Sequence, residues 1–266
     1  MNVPLMHQRS DRGSTRHTQS ELSVSYRPPE DVKRANLADI LAGRGGAPFE
    51  TKQLDLMFGS SEPDRSKDIF YSGNLDFLTA PAVAIVGTRK VSPEGAARAR
   101  KLAKGLASAG VAVVSGLAEG VDTEALTAAI RAGGRVAAVI GTPINKAYPA
   151  KNAALQEQIY QDHLLISQFP AGVRTFKSNF PERNRLMAAV SDATVVIEAS
   201  DTSGTLHQSA ECQRLGRWLF IAKSVVEDTR LSWPERFLPY EKCVILEHIE
   251  DVLDRLNTSS GQAPRI

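Results

Sequence analysis

From residue 81 onward the chain alternates between short runs that are almost wholly apolar and longer stretches in which apolar residues recur every three or four positions. The runs are AVAIV (82–86), VAVVS (111–115), RVAAVI (135–140), HLLIS (163–167), ATVVIEA (193–199) and RWLFIA (217–222). Being short, largely β-branched and without polar alternation, they predict strands covered on both faces. SPEGAARARKLAKGLASAG, DTEALTAAIRAGG, AALQEQIYQ and TLHQSAECQRLG separate them. These have helical spacing, and several end in glycine, where a helix stops. Strand and helix alternating in this way predict an α/β fold, a doubly wound, mostly parallel sheet with helices on both faces. CVILEH and the helical IEDVLDRL complete it, giving one domain over residues 81–256 with a tail at 257–266. Upstream the pattern fades. Residues 1–36 are rich in Ser, Arg, Pro and Gln without a period and read as a flexible tail, while 37–80 form a lead-in with helical patches ANLADILAGR and TKQLDLMFG before DIFYSGNLDFL. No internal repeat is visible.

Composition narrows the picture. The 266 residues are 42% hydrophobic and 23% charged, as in an ordinary soluble protein. No apolar run approaches a membrane span, and the first twenty residues lack the apolar centre of a secretory signal. Cys212 and Cys243 offer neither a disulfide framework nor a paired metal motif, which fits a reducing cytoplasm. The net charge of +2, from 32 basic and 30 acidic residues, means that any site for a polyanion is a local patch.

Sheets of this kind bind ligands outside the carboxyl ends of their strands, so the loops there hold the candidate chemistry. After 82–86 comes VGTRKVSPEG: Gly87 permits a tight turn, Thr88 and Arg89 stand at the strand end, and Ser92 with Pro93 opens a helix whose amides face an anion. GxGxxG is absent and no acid closes the next strand, which argues against a nicotinamide or flavin; no cofactor and no metal are expected. SGLAEGVDTEA, with Asp122 and Glu124, is explained as well by helix capping as by chemistry. In GTPINKAYPAKN, Lys146, Tyr148 and Lys151 add charge and a ring to the same rim, or simply form a proline-containing loop. EASDTSGTLHQSAE places Ser203, Gly204 and Thr205 at a helix start, a second anion-accepting end.

NFPERNR (179–185) falls between the fourth and fifth runs and is expected as a loop over that edge. Its window RTFKSNFPERNR carries Arg174, Lys177, Arg183 and Arg185 against Glu182 alone. Cations around the ring of Phe180 are a means of holding single-stranded nucleic acid, phosphates on the charges and a base on the ring. For Asn184 and Arg185 the competing role is to tie loops together by hydrogen bonds to the backbone.

IVGTRKVSPEG, VSGLAEGVDTEAL, YPAKNAAL, FPERNRLMAAVSDATVVIEA and SGTL, in that order, resemble the DNA-processing protein A (DprA, or Smf) family over residues 68–222. The resemblance implies an extended Rossmann-like fold, a homodimer, sequence-independent binding of single-stranded DNA and its delivery to a RecA-type recombinase, as in natural transformation. It also implies DNA contact by Arg89, Lys177 and Phe180. The chain departs from the family at Leu126, where Ala125 is usually followed by His, at Gln168 after Ser167, and around Ala222 to Ser224 in place of Pro-Gly. No winged-helix module is expected after Leu256.

The combined reading is a binding protein with a DNA site at Gly87, Thr88, Arg89, Lys177, Phe180, Arg183, Asn184, Arg185, Ser203 and Gly204. Two alternatives stand beside it: a nucleotide-sensing domain, and a nucleotide hydrolase of the related superfamily using Glu211 as its acid, although the pattern PGGxGTxxE is lacking. Trp233, Phe237 and Tyr240, in a segment that reads as exposed, point towards self-association.

Overall fold

The computed structural model describes residues 26–42 and 68–259. Among them are strands β1 (Lys33–Asn36), β2 (Asp68–Gly73), β3 (Ala82–Val86), β4 (Ala112–Ser115) and β5 (Val136–Ile140), followed by β6 (Leu164–Ser167), β7 (Ala193–Val196), β8 (Trp218–Ala222) and β9 (Cys243–Leu246). They form one sheet in the order β1-β2-β6-β5-β4-β3-β7-β8-β9. All pairs from β6 to β9 are parallel, and β1 and β2 join antiparallel at one edge. The helices of six residues or more are α1 (Leu37–Ala42), α2 (Pro93–Ser108), α3 (Val121–Arg131), α4 (Ala153–Asp162), α5 (Asn179–Ala189), α6 (Thr205–Arg214) and α7 (Glu250–Ser259).

The apolar runs are explained by burial on both sides. Every residue of β3 through β7 is buried. Val83 and Ile85 of β3 enter the core beneath α2, α3, α4 and α7, while Ala82, Ala84 and Val86 enter the one beneath α1, α5 and α6. This is the two-residue period of a strand with no solvent face to mark it by polarity. Each Val or Ile buried there contributes roughly 1.5–3 kcal/mol.

The chain builds outward from β3 to β6, then returns to lay β7 on the other side of β3. The loops leaving β3 and β7 therefore diverge at a topological switch point, where such sheets open a crevice. Their bases are tied: the Thr88 N–H donates to Glu198 O at 2.7 Å. The Glu198 carboxylate accepts from the Ser92 N–H at 3.1 Å and its hydroxyl at 2.6 Å. Ser92 Oγ in turn accepts from Gly95 N at 3.0 Å, capping α2 with Pro93 in first position. Glu198 is thus an architectural clamp between the two loops.

Several elements differ from the sequence expectation. NFPERNR is the first part of α5 rather than a loop; Pro181 is accommodated because it lies in the first turn, where no intrahelical N–H bond is lost. Residues 33–36, assigned to a tail, are β1, paired with β2 through the register Lys33↔Tyr71 to Asn36↔Asp68. Just before them, Arg27 N donates to Glu157 at 2.8 Å and Tyr26 Oη accepts from Gln156 at 2.8 Å, strapping this segment to α4. Trp233 and Phe237 are buried in the core, with Trp233 Nε1 donating to Ala199 O at 3.1 Å, so they form no exposed aromatic surface. The final helix continues to Ser259. The rest of the N-terminal tail, the TKQLDLMFG patch and residues 260–266 lie outside the described residues. No helix among the described residues is long and apolar enough to cross a membrane.

Candidate functional site

At the switch point a cavity of about 330 Å³ opens between the ends of β3 and β7 and the starts of α5 and α6. Gly87, Thr88 and Arg89 form one wall, Phe180, Arg183 and Asn184 a second, and Ser203 and Gly204 a third. The third wall is the beginning of α6, which brings a positive dipole end to the cavity. Ser203 Oγ accepts from Thr205 N at 3.2 Å and contacts Thr205 Oγ1 at 2.9 Å, fixing the turn. The loop after β4 passes directly beneath the first wall. Gly120, at φ +75°, lies where any Cβ would meet Thr88 O at 2.3 Å, and Val121 N donates to Thr88 O at 3.2 Å. Among the described residues no cluster of His, Cys, Asp and Glu is placed to hold a metal.

The charges in this cavity fall into two kinds. Arg183 is 8% exposed, and its Nη1 donates to Gly116 O and to Val139 O, the latter at 2.9 Å. Burial lowers its pKa, the Asp122 carboxylate opposes that shift, and Arg89 adds like-charge repulsion. Asp122, also buried, accepts from Gly116 N at 3.0 Å and Ala118 N at 3.3 Å; burial raises its pKa against the pull of Arg183 and those amides. Arg183 and Asp122 therefore brace the strand ends from inside. Arg89 is exposed and has no ion pair among the described residues. An anion in the cavity would relieve the repulsion between the two guanidinium groups.

Phe180 is half-buried. Its ring lies over Gly141, where a Cβ would come within 2.8 Å of Cδ1, and its centroid is 5.5 Å from that of Tyr148. Lys177 is exposed one helical turn upstream and has no ion pair among the described residues. Lys151, by contrast, is neutralised by Glu119 at 2.6 Å.

The model of the family described as DNA recombination-mediator protein A matches residues 56–257. The chain belongs to that family. It is 41% identical over 160 residues to DNA processing protein DprA of Streptococcus pneumoniae, covering 60% of this chain and 56% of that one. The crystal structure of DprA from S. pneumoniae superposes with a TM-score of 0.65 at 32% identity, covering 77% of this chain and 78% of that chain. A Helicobacter pylori DNA processing protein A, whose structure was described for its single-stranded DNA binding mode, superposes with a TM-score of 0.65 at 25% identity, covering 76% and 92%. The chain spans about half the length of the curated relatives it matches.

Of the ten residues expected at the site of this DNA recombination-mediator protein A relative, eight line the cavity; Lys177 and Arg185 do not. Arg185 is directed to Glu211 at 3.4 Å, joining α5 to α6 beside the cavity. Arg183 lines the cavity but is committed to backbone carbonyls, a bracing role rather than a free charge. Asn184 Nδ2 donates to Gly204 O at 3.3 Å while its Oδ1 accepts from Arg183 Nε at 3.0 Å, the loop-tying role weighed for it from the sequence. Met187 and Gln208 also line the cavity and were missed. Each lies four residues after a recognised one, Arg183 and Gly204, so helical spacing was the available signal. Gln208 is 1% exposed; its Nε2 donates to Thr194 at 3.1 Å and its Oε1 has no hydrogen-bond partner among the described residues.

Proposed function

We propose that this chain binds single-stranded DNA without regard to sequence, with Arg89 and Lys177 on phosphates and the cavity at the β3–β7 switch point as its anchor. The observation that carries the reading is Arg89: an exposed guanidinium with no ion pair among the described residues, lining with the start of α6 a cavity whose remaining charges are internally committed. Such a site has one unsatisfied positive charge and one helix dipole, and a phosphate complements both. Phe180 and Tyr148 add apolar surface on which a base rests without being identified. The single-stranded DNA binding of the H. pylori relative supports the same reading.

Within it, the protein is a binding module and not an enzyme. Glu211, the acid a hydrolase would need, is held by Arg214 at 2.6 Å and by Arg185, and does not line the cavity. The wider role follows the family: a cytoplasmic homodimer that protects single strands and delivers them to a RecA-type recombinase.

A second reading is favoured by the cavity's volume, about 330 Å³, which suits one nucleotide and a sensing role. Binding of a mononucleotide, a single-stranded homopolymer and a duplex distinguishes the two. Strand binding requires affinity to rise with length and to exceed that for duplex; equal affinity for mononucleotide and long strand sinks it and favours the sensor. Release of free base from a nucleotide would favour the hydrolase.

A further inference from the structure

We infer that Phe176, with Arg174 and Lys177 on either side, is a second stacking step outside the cavity, which takes the base of a neighbouring nucleotide in the bound strand. The inference rests on the single-strand reading above and adds to it a path.

Five large apolar side chains are exposed among the described residues; of these, Tyr148, in the loop before α4, has its ring against Phe180, and Val173 and Phe176 lie in the segment that leads into α5. Phe176 is the most open, at 56%. Its backbone is nevertheless fixed, because its carbonyl accepts from Asn179 N at 3.2 Å and so belongs to the turn that starts α5. The Arg174 guanidinium lies 5.6 Å from the centre of its ring. A cation over an exposed ring is a weak contact in water and does not account for leaving that ring in solvent. Arg174 and Lys177 have no ion pairs among the described residues. The strip therefore offers an exposed ring flanked in sequence by two cations without ion pairs among the described residues, in the turn that leads into α5 and Phe180.

The Phe180 ring is less available for this purpose. It is packed over Gly141 and against Tyr148, so it closes the cavity wall more than it presents an open face. A strand anchored by phosphate at Arg89 and leaving past Lys177 meets Phe176 next. The recognised ligand is a nucleobase of any identity joined to phosphates, since a ring and two cations supply stacking and charge but no base-edge readout.

The test uses the full chain and compares wild type with Phe176→Ala, Phe176→Trp and Arg174→Ala, against dTMP and against long oligo(dT), followed by anisotropy and calorimetry. Phe176→Ala is expected to weaken long-strand binding roughly 5- to 150-fold while leaving dTMP binding and the salt dependence unchanged. Phe176→Trp should retain affinity and report the strand through quenching of the new indole. Arg174→Ala should flatten the plot of log affinity against log salt by about 0.7. Unchanged strand affinity in Phe176→Ala, with wild type binding normally, overturns the inference and leaves the cavity reading intact. So does a change in oligomeric mass with no change in strand affinity, which would make the ring a protein contact. Failure of wild type to bind any single strand overturns both.

Discussion

Replacing Arg183 by methionine separates bracing from contact. The guanidinium is buried, donates to Gly116 O and Val139 O at the ends of β4 and β5, and is the cation facing buried Asp122. Methionine fills part of the stem volume but leaves two carbonyls without their side-chain donor and the Asp122 carboxylate without its facing cation. Removing one member of a buried charged arrangement costs roughly 3–5 kcal/mol. At about 2–4 °C per kcal/mol for a domain of this size, the melting temperature should fall by about 6–20 °C. Arg183→Lys should recover only part of this, because an ammonium set on the two carbonyls that Nη1 reaches cannot also supply the Nε donor that holds Asn184 Oδ1. The assay is thermal and urea unfolding by circular dichroism, with Arg89→Ala as control; being exposed and unpaired, that variant should stay within about 0.5 kcal/mol of wild type. An Arg183→Met protein that melts like wild type yet loses strand affinity would refute the reasoning and make Arg183 a phosphate ligand.

Gly141→Ala should displace the Phe180 ring, since the new Cβ would fall 2.8 Å from Cδ1; strand affinity should drop while that for short, unstacked phosphate analogues holds, as read by calorimetry. His163 gives a pH dependence. Burial lowers its pKa below 6.5 against the smaller pull of Asp162, and its Nδ1 is buried without a partner among the described residues. The unfolded chain thus binds a proton more readily, so this contribution is present above pH 6.5 and is lost as pH falls through the depressed folded value. Urea midpoints between about pH 5 and pH 7 should slope less in His163→Gln than in wild type. Light scattering at high micromolar concentration should give about twice the 28.8 kDa chain mass; a monomer throughout would remove the homodimer from the proposed role.

The central sheet was legible because burial on both faces leaves an unmistakable trace: AVAIV has no polar position to confuse its reading, and all five residues are buried. β1 left no such trace. KRAN is an edge strand with two exposed and two half-buried residues, defined only by its register with β2. The start of α5 was obscured for a different reason, because its helical nature depends on Pro181 falling in the first turn and on Arg183 finding carbonyls 67 and 44 residues away. No local pattern carries that information. Arg89, Ser203 and Phe180 were readable as rim residues from topology alone, since each lies in a segment that carries the chain from a strand's carboxyl end to the start of the next helix. The commitments of Arg183, Arg185 and Asn184 were not, because a charge in sequence does not show whether its partner is solvent, ligand or backbone. Trp233 and Phe237 illustrate the same limit for apolar groups: in a segment without periodicity, nothing marks a ring as inside or outside.

The central claim is that a free Arg89 meets a phosphate of a single strand at the β3–β7 switch point. Measuring the affinity of wild type and Arg89→Ala for oligo(dT) across a range of salt tests it most directly. A linear fall in log affinity with log salt is expected, with a slope of roughly 0.7 per phosphate neutralised, and Arg89→Ala should reduce that slope by about one such increment without changing the melting temperature. A slope identical in the two proteins would contradict the account, because the charge on which the site is built would then touch no phosphate.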